Sequence, residues 1–185
     1  MKINPNKVIE DRLAASFGLE QYGYIISQWK TVDVSADEDF QTKFNGYYRV
    51  RRNAEWRECY YALFQRGKSE ELSFADIITY LYENTGNVEP SFSSKMYATF
   101  NTDKPIWDQY VLKNLNLRLE GEGEGEGEGR LQNAIALYTR IEAWYKDFLK
   151  TQNGKECIDA FDKALPSYSW IGSTKKIDCF LWGMR

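Results

Sequence analysis

Apolar residues recur along this chain at steps of three and four, the signature of helices that each turn one face inward. Val8, Ile9, Leu13 and Phe17 mark a first helix that Gly18 can close; Leu19, Tyr22, Ile25, Ile26 and Trp29 mark a second. Phe40, Phe44, Tyr47, Tyr48, Tyr60 and Phe64 continue the pattern, with Gly46 as the expected interruption. Ser73 and Asp76 have the spacing of a capping box with Asp in place of Glu. The helix they open faces Phe74, Ile77, Ile78, Leu81 and Tyr82 inward and stops at Gly86. A hairpin-like break over 89–95, a short segment over 95–100, a turn over 101–105 and a helix over 107–115 are expected next. Leu131, Ile135, Tyr138, Ile141, Trp144, Tyr145 and Phe148 form the longest stripe, which Asn153 and Gly154 should stop. Ile158, Phe161 and Leu165 lie on a further helix closed by Pro166. A last one over 175–182 takes its cap from Ser173 and Thr174 and docks Ile177, Phe180 and Leu181. The expected fold is therefore mainly α: a compact multi-helix single domain over 1–185, without a strand pair.

One segment breaks the pattern. Over 120–129 the chain reads Glu-Gly five times. Glycine forms helices poorly and carboxylates two apart repel, so a flexible solvated loop is expected there. A role as an acidic competitor for a basic groove has less support than simple loop lengthening, because closure entropy grows only logarithmically with length. The run also distorts the charge balance. The net charge is −3, but without the five Glu of the run 22 acidic residues face 24 basic ones. The rest of the chain is close to neutral and slightly basic, which leaves room for a basic face.

Composition narrows the chemistry. There is no histidine, so nucleophile activation by imidazole and the common His-bearing zinc sites are excluded. Acid–base work falls to carboxylates, Lys or Tyr. Cys59, Cys157 and Cys179 are dispersed and odd in number, which reads as free thiols in a reducing compartment. No signal peptide and no membrane-spanning run is apparent, so a cytoplasmic protein without membrane, metal or cofactor is expected.

Two clusters could carry chemistry. The first is Tyr47-Tyr48-Arg49-Val50-Arg51-Arg52, where guanidinium groups interleaved with rings suit phosphate contacts and stacking on a base. Its commoner reading is a solvated helix face paired with Glu55 and Glu58. The second lies over 90–111, where Lys95 precedes Asp108 by thirteen residues. Asp108 has aromatic and aliphatic neighbours that would partly desolvate it, so its carboxylate could stabilise a cationic transition state or activate water. A desolvated Lys95 could act as an amine nucleophile. The plainer readings are a helix cap for Asp108 and a surface cation for Lys95. Lys175 and Lys176 could also reach a phosphate, although docking of the terminal helix explains that segment better.

The second cluster resembles the catalytic core of the helix-hairpin-helix DNA glycosylase superfamily. Pro90-Ser91-Phe92-Ser93-Ser94-Lys95 is similar to that family's hairpin, with Ser where the family has two glycines. Pro105-Ile106-Trp107-Asp108-Gln109-Tyr110-Val111 is similar to the motif that presents its catalytic Asp. The spacing between them is shorter than the family's by about five residues, more than a helical turn. The resemblance implies a DNA-binding protein that cleaves or senses an altered base. Asp108 would be the catalytic carboxylate and Lys95 the nucleophile of members that also cut the sugar. Ser91 and Ser93 would lie in a phosphate-facing turn, and Tyr97, Trp107 and Tyr110 would wall the base pocket. Double-stranded DNA would be the partner, with Arg49, Arg51 and Arg52 as further contacts. Two alternatives stay open: a non-catalytic helical interaction domain that binds another protein, and a nucleotide or metabolite binder built on the Arg cluster.

Overall fold

The structure is a computed structural model that describes residues 1–11, 18–119 and 127–184. Among the described residues it contains ten α-helices, one short 3₁₀ turn and no strand. In chain order they are α1 (Pro5–Asp11), α2 (Leu19–Gln28), α3 (Glu38–Tyr48), α4 (Ala54–Arg66) and α5 (Phe74–Thr85). Then come α6 (Pro90–Phe100), α7 (Gln109–Leu115), α8 (Glu128–Phe148), α9 (Gln152–Ala164) and α10 (Ser173–Gly183). The mainly α expectation holds. Among the described residues no helix is long and apolar enough to cross a membrane, and no three acidic or Cys side chains gather into a metal-holding group.

Several boundaries follow the expected signals. Ser73 accepts the N–H of Asp76 while the Asp76 carboxylate accepts the N–H of Ser73, a complete capping box. Gly86 closes α5 in the left-handed conformation at φ 70°.

Others differ, each for a local reason. Gly46 lies inside α3, and the break falls later, at Arg49, which adopts φ 54°. Asn53 then restarts the chain by accepting the N–H of Trp56 at 3.0 Å. Arg51 and Arg52 therefore sit on a connection and not on a helix face. The hairpin expected over 90–95 is the first turn and a half of α6. Pro90 takes the first helical position, where its fixed φ and missing N–H cost nothing. Asn153 and Gly154 do not stop α8. Thr151 caps α9 by accepting the N–H of Gly154 at 3.0 Å. The terminal helix takes Gly172 as its N-cap; the Thr174 hydroxyl is spent instead on the Asp103 carbonyl at 3.1 Å. Of the Glu-Gly run, 120–126 lie outside the described residues, as do Leu13 and Phe17 of the first expected helix. Glu128 and Gly129 belong to α8.

Two apolar clusters make the core. One is gathered from α1, α2, α5 and α7–α10, around Tyr138, Ile141, Phe161 and Phe180. The other is aromatic and comes mainly from α2–α6, with Phe40, Phe44, Tyr60, Tyr61 and Phe64 fully buried. Rings in it stack edge to face, as Phe44 on Phe64 at 5.3 Å and Tyr60 on Tyr61 at 5.5 Å. Tyr47 and Tyr97 pack against both clusters. The site lies close to this seam.

Candidate functional site

A cavity of about 410 Å³ is bounded by the end of α3, α6, the link into α7, and α10. That volume is in the range of small-ligand clefts. From α3 and its C-cap come Tyr47, Tyr48 and Arg49; from α6, Phe92 and Lys95; from the link into α7, Ile106 and Asp108, and from α7 itself Tyr110. The terminal helix α10 contributes Lys175, Asp178, Cys179 and Trp182. Gly46, Arg49 and Gln109 are exposed and stand at its mouth.

Lys95 and Asp108 are positioned by the same stitching. The Ser94 hydroxyl accepts the Trp107 N–H at 2.7 Å, and the Ser91 hydroxyl donates to the Trp107 carbonyl at 3.0 Å. The peptide groups on both sides of Trp107 are thus fixed to α6, and Tyr138 donates to the Pro105 carbonyl at 2.7 Å. Asp108 follows directly. It caps α7 by accepting the Tyr110 N–H at 2.8 Å and is half-buried in the cavity wall.

Lys95 is 8% exposed and donates to the Tyr48 carbonyl at 3.2 Å. Its ammonium lies 4.9 Å from the Phe92 ring and 5.8 Å from that of Tyr48. Burial lowers its pKa to about 8, with Asp108 pulling upward and Lys175 pushing down. Asp178, 2% exposed, accepts hydrogen bonds from the Tyr145 hydroxyl and the Ile106 N–H. Burial pushes its carboxyl up to about 7 against the pull of Lys175. Lys175 faces the Tyr22 and Tyr47 rings at 5.0 and 5.4 Å. Burial disfavours its charge, but the acidic groups around it, Asp178 among them, hold its pKa well above the ordinary value.

No family model, curated protein or solved structure matches the chain. The site must be read from its own geometry.

Of the residues singled out in the sequence, the cavity brings together Arg49, Lys95, Asp108 and Tyr110. Six others lie elsewhere. Arg51 is exposed on the α3–α4 connection. Arg52 pairs with the buried Glu89 at 2.5 Å and covers the Trp56 and Phe92 rings. Ser91 and Ser93 form no phosphate-facing turn: their hydroxyls are held by the Trp107 and Glu89 carbonyls, as side chains in the first turns of a helix. Tyr97 packs edge-on to Tyr138, and Trp107 is buried in the first core cluster. Neither lines the cavity.

Asp178 was not anticipated as a site residue, and Lys175 was considered only as a phosphate contact on a helix better explained by docking. Yet Lys175, Asp178, Cys179 and Trp182 are spaced three, four and seven apart, so they share one face of α10. Two charged residues on a stripe otherwise fit for burial are the signal in the sequence.

Proposed function

We propose that the chain is a DNA-glycosylase-like protein that receives an extruded base in this cavity and cleaves its bond to the sugar. The observation that carries the reading is that the buried amine of Lys95 and the carboxylate of Asp108 share one ligand-sized cavity. With its pKa near 8, about one Lys95 in ten is unprotonated at neutral pH, against fewer than about one in a thousand for an ordinary lysine. An amine of that kind is a competent nucleophile. Its lone pair would attack C1′ as the glycosidic bond breaks and the bonding electrons leave with the base. Asp108 would stabilise positive charge on the sugar and take the proton the new C–N bond releases. Arg49 at the mouth suits a backbone phosphate, and Tyr110 offers a wall for the base.

The test is borohydride trapping on a duplex that carries an abasic site. An imine between Lys95 and C1′ would be reduced to a stable protein–DNA adduct. Wild type should be trapped, and Lys95→Met should not. Asp108→Asn should lose base release while its melting temperature stays near wild type, since Asn caps helices as well as Asp. An untrapped wild type that also fails to bind an abasic analogue at low salt would sink the reading. A bounded cavity that only Arg49 of the basic cluster reaches favours a nucleotide or metabolite binder as second reading. Saturable binding of a free nucleotide without duplex binding would select it.

A further inference from the structure

We infer that Asp178 is the general acid of this site, handing a proton to the base as it departs. The inference rests on the glycosylase-like reading. It is carried by the placing of two carboxyl groups in one cavity with opposite surroundings. Asp108 is half-buried at a helix start and sits beside the exposed Gln109 at the mouth. Asp178 is sealed from solvent on α10 but still lines the cavity. Two carboxyls held in unlike environments commonly divide the roles of base and acid between them.

The groups that face Asp178 fit the role of donor. The Tyr145 hydroxyl from α8 and the Ile106 N–H from the link into α7 hydrogen-bond to it, and the charges or dipoles of Lys175 and Cys179 on its own helix, Tyr138 on α8, Tyr22 on α2, Tyr48 on α3 and Asp108 act on it through space. The Ile106 N–H and the Lys175 ammonium are donors only, and Tyr145 donates to the carboxyl. Asp178 also lines the cavity, so a base seated there can accept its proton. The step balances: the C1′–N bond breaks, its electron pair passes to the base, and the Asp178 proton moves onto a ring nitrogen or carbonyl oxygen of that base. The neutral base leaves, and Asp178 remains as a carboxylate beside Lys175.

Such an acid matters only for a base that must gain a proton to leave. Neutral 8-oxoguanine, hypoxanthine and uracil need it; 7-methylguanine already carries a positive charge. Because burial sets the Asp178 carboxyl near 7, the acid form falls as pH rises through that value. Because Lys95 must at the same time be unprotonated, release of a neutral base should be level between about pH 7 and pH 8 and fall about tenfold per pH unit above 8, whereas release of 7-methylguanine should rise to about pH 8 and stay level.

The experiment is single-turnover release of these four bases from otherwise identical duplexes, with borohydride trapping of a preformed abasic duplex in parallel. Asp178→Asn should slow release of the neutral bases by about 100-fold and remove the falling limb. Trapping, which has no departing base, should stay within about 3-fold of wild type. Equal loss of release and trapping in a folded variant would make Asp178 a structural residue and overturn the assignment, as would release that does not change. If the variant fails to fold, the wild-type pH profiles decide: a limb shared by neutral and cationic bases refutes the role. A wild type that traps the abasic duplex but releases no base also refutes it, and leaves the parent reading standing. A wild type that does neither overturns both.

Discussion

Lys95→Met, followed by stability at two pH values, tests the desolvation of the amine without any substrate. In the unfolded chain this lysine titrates near its ordinary value of 10.5; in the fold, burial brings it to about 8. Folded and unfolded states therefore bind protons unequally between those values, and stability rises with pH across that window. At pH 7 the unfolded lysine is charged and the folded one nearly so, and keeping that charge buried costs about 3.4 kcal/mol. At pH 9 the folded lysine has mostly lost its proton while the unfolded one has not, and the cost falls to about 2.0 kcal/mol. Lys95→Met has no such cost at either pH. The stability of wild type relative to the variant should thus improve by about 1.4 kcal/mol from pH 7 to pH 9. The difference is the quantity to measure, because the Cys157 and Cys179 thiols, pushed up to about 11 and about 12, work against wild-type stability in the same window and are present in both chains. The absolute offset at either pH also contains the lost hydrogen bond to the Tyr48 carbonyl. Urea unfolding followed by tryptophan fluorescence at both pH values supplies the four free energies. A gap that stays constant, or moves the other way, would mean that Lys95 is solvated and its amine no better a nucleophile than any surface lysine.

Other expectations are more local. Ser94→Ala removes the hydroxyl that accepts the Trp107 N–H in the interior, and leaving that donor unpaired should cost about 1–3 kcal/mol in urea unfolding. The same variant should weaken trapping of an abasic duplex, since Asp108 follows the released peptide. Gly154→Ala would place a Cβ 2.2 Å from the Phe148 carbonyl oxygen, a backbone atom that cannot swing away. Overpacking of that kind costs about 3 kcal/mol, or roughly 6–12 °C in melting temperature for a chain of this size. The yield of borohydride adduct on an abasic duplex should rise about tenfold per pH unit as Lys95 deprotonates and level off above pH 8. A yield that keeps rising towards pH 10 would assign the adduct to an ordinary lysine.

The helices were legible because their stripes are amphipathic, and the capping box at Ser73 and the glycine at Gly86 acted as their chemistry dictates. What misled were residues whose signal has two meanings. Pro90 reads as a breaker or as a first helical residue, and only the packing of α6 against Trp107 selects the second. Gly46 costs α3 a little stability without ending it, while Arg49 takes a left-handed conformation no composition rule would assign to it. At the site, Lys95 and Asp108 could be named from local sequence because one chain segment carries both. Asp178 is seventy residues further on, and nothing short of tertiary packing sets it beside them.

Two adjacent lysines on α10 bury their charge in different surroundings. Lys176 is 3% exposed, but its ammonium pairs with Asp162 at 2.6 Å and donates to the Ser169 carbonyl at 2.9 Å. It is an ion pair that ties α10 to the end of α9. Lys175 points the other way, into a cavity shared with Lys95, Asp108 and Asp178. Two ammonium groups and a carboxyl withdrawn from water there cost more than apolar side chains of the same volume would. For Lys95 that cost appears as a pKa lowered by burial to about 8. A fold shaped by stability alone would fill that space, as it does behind Tyr48 with Phe44, Tyr60 and Phe64. Charges retained at such expense around an open volume are the physical ground for the proposal that chemistry takes place there.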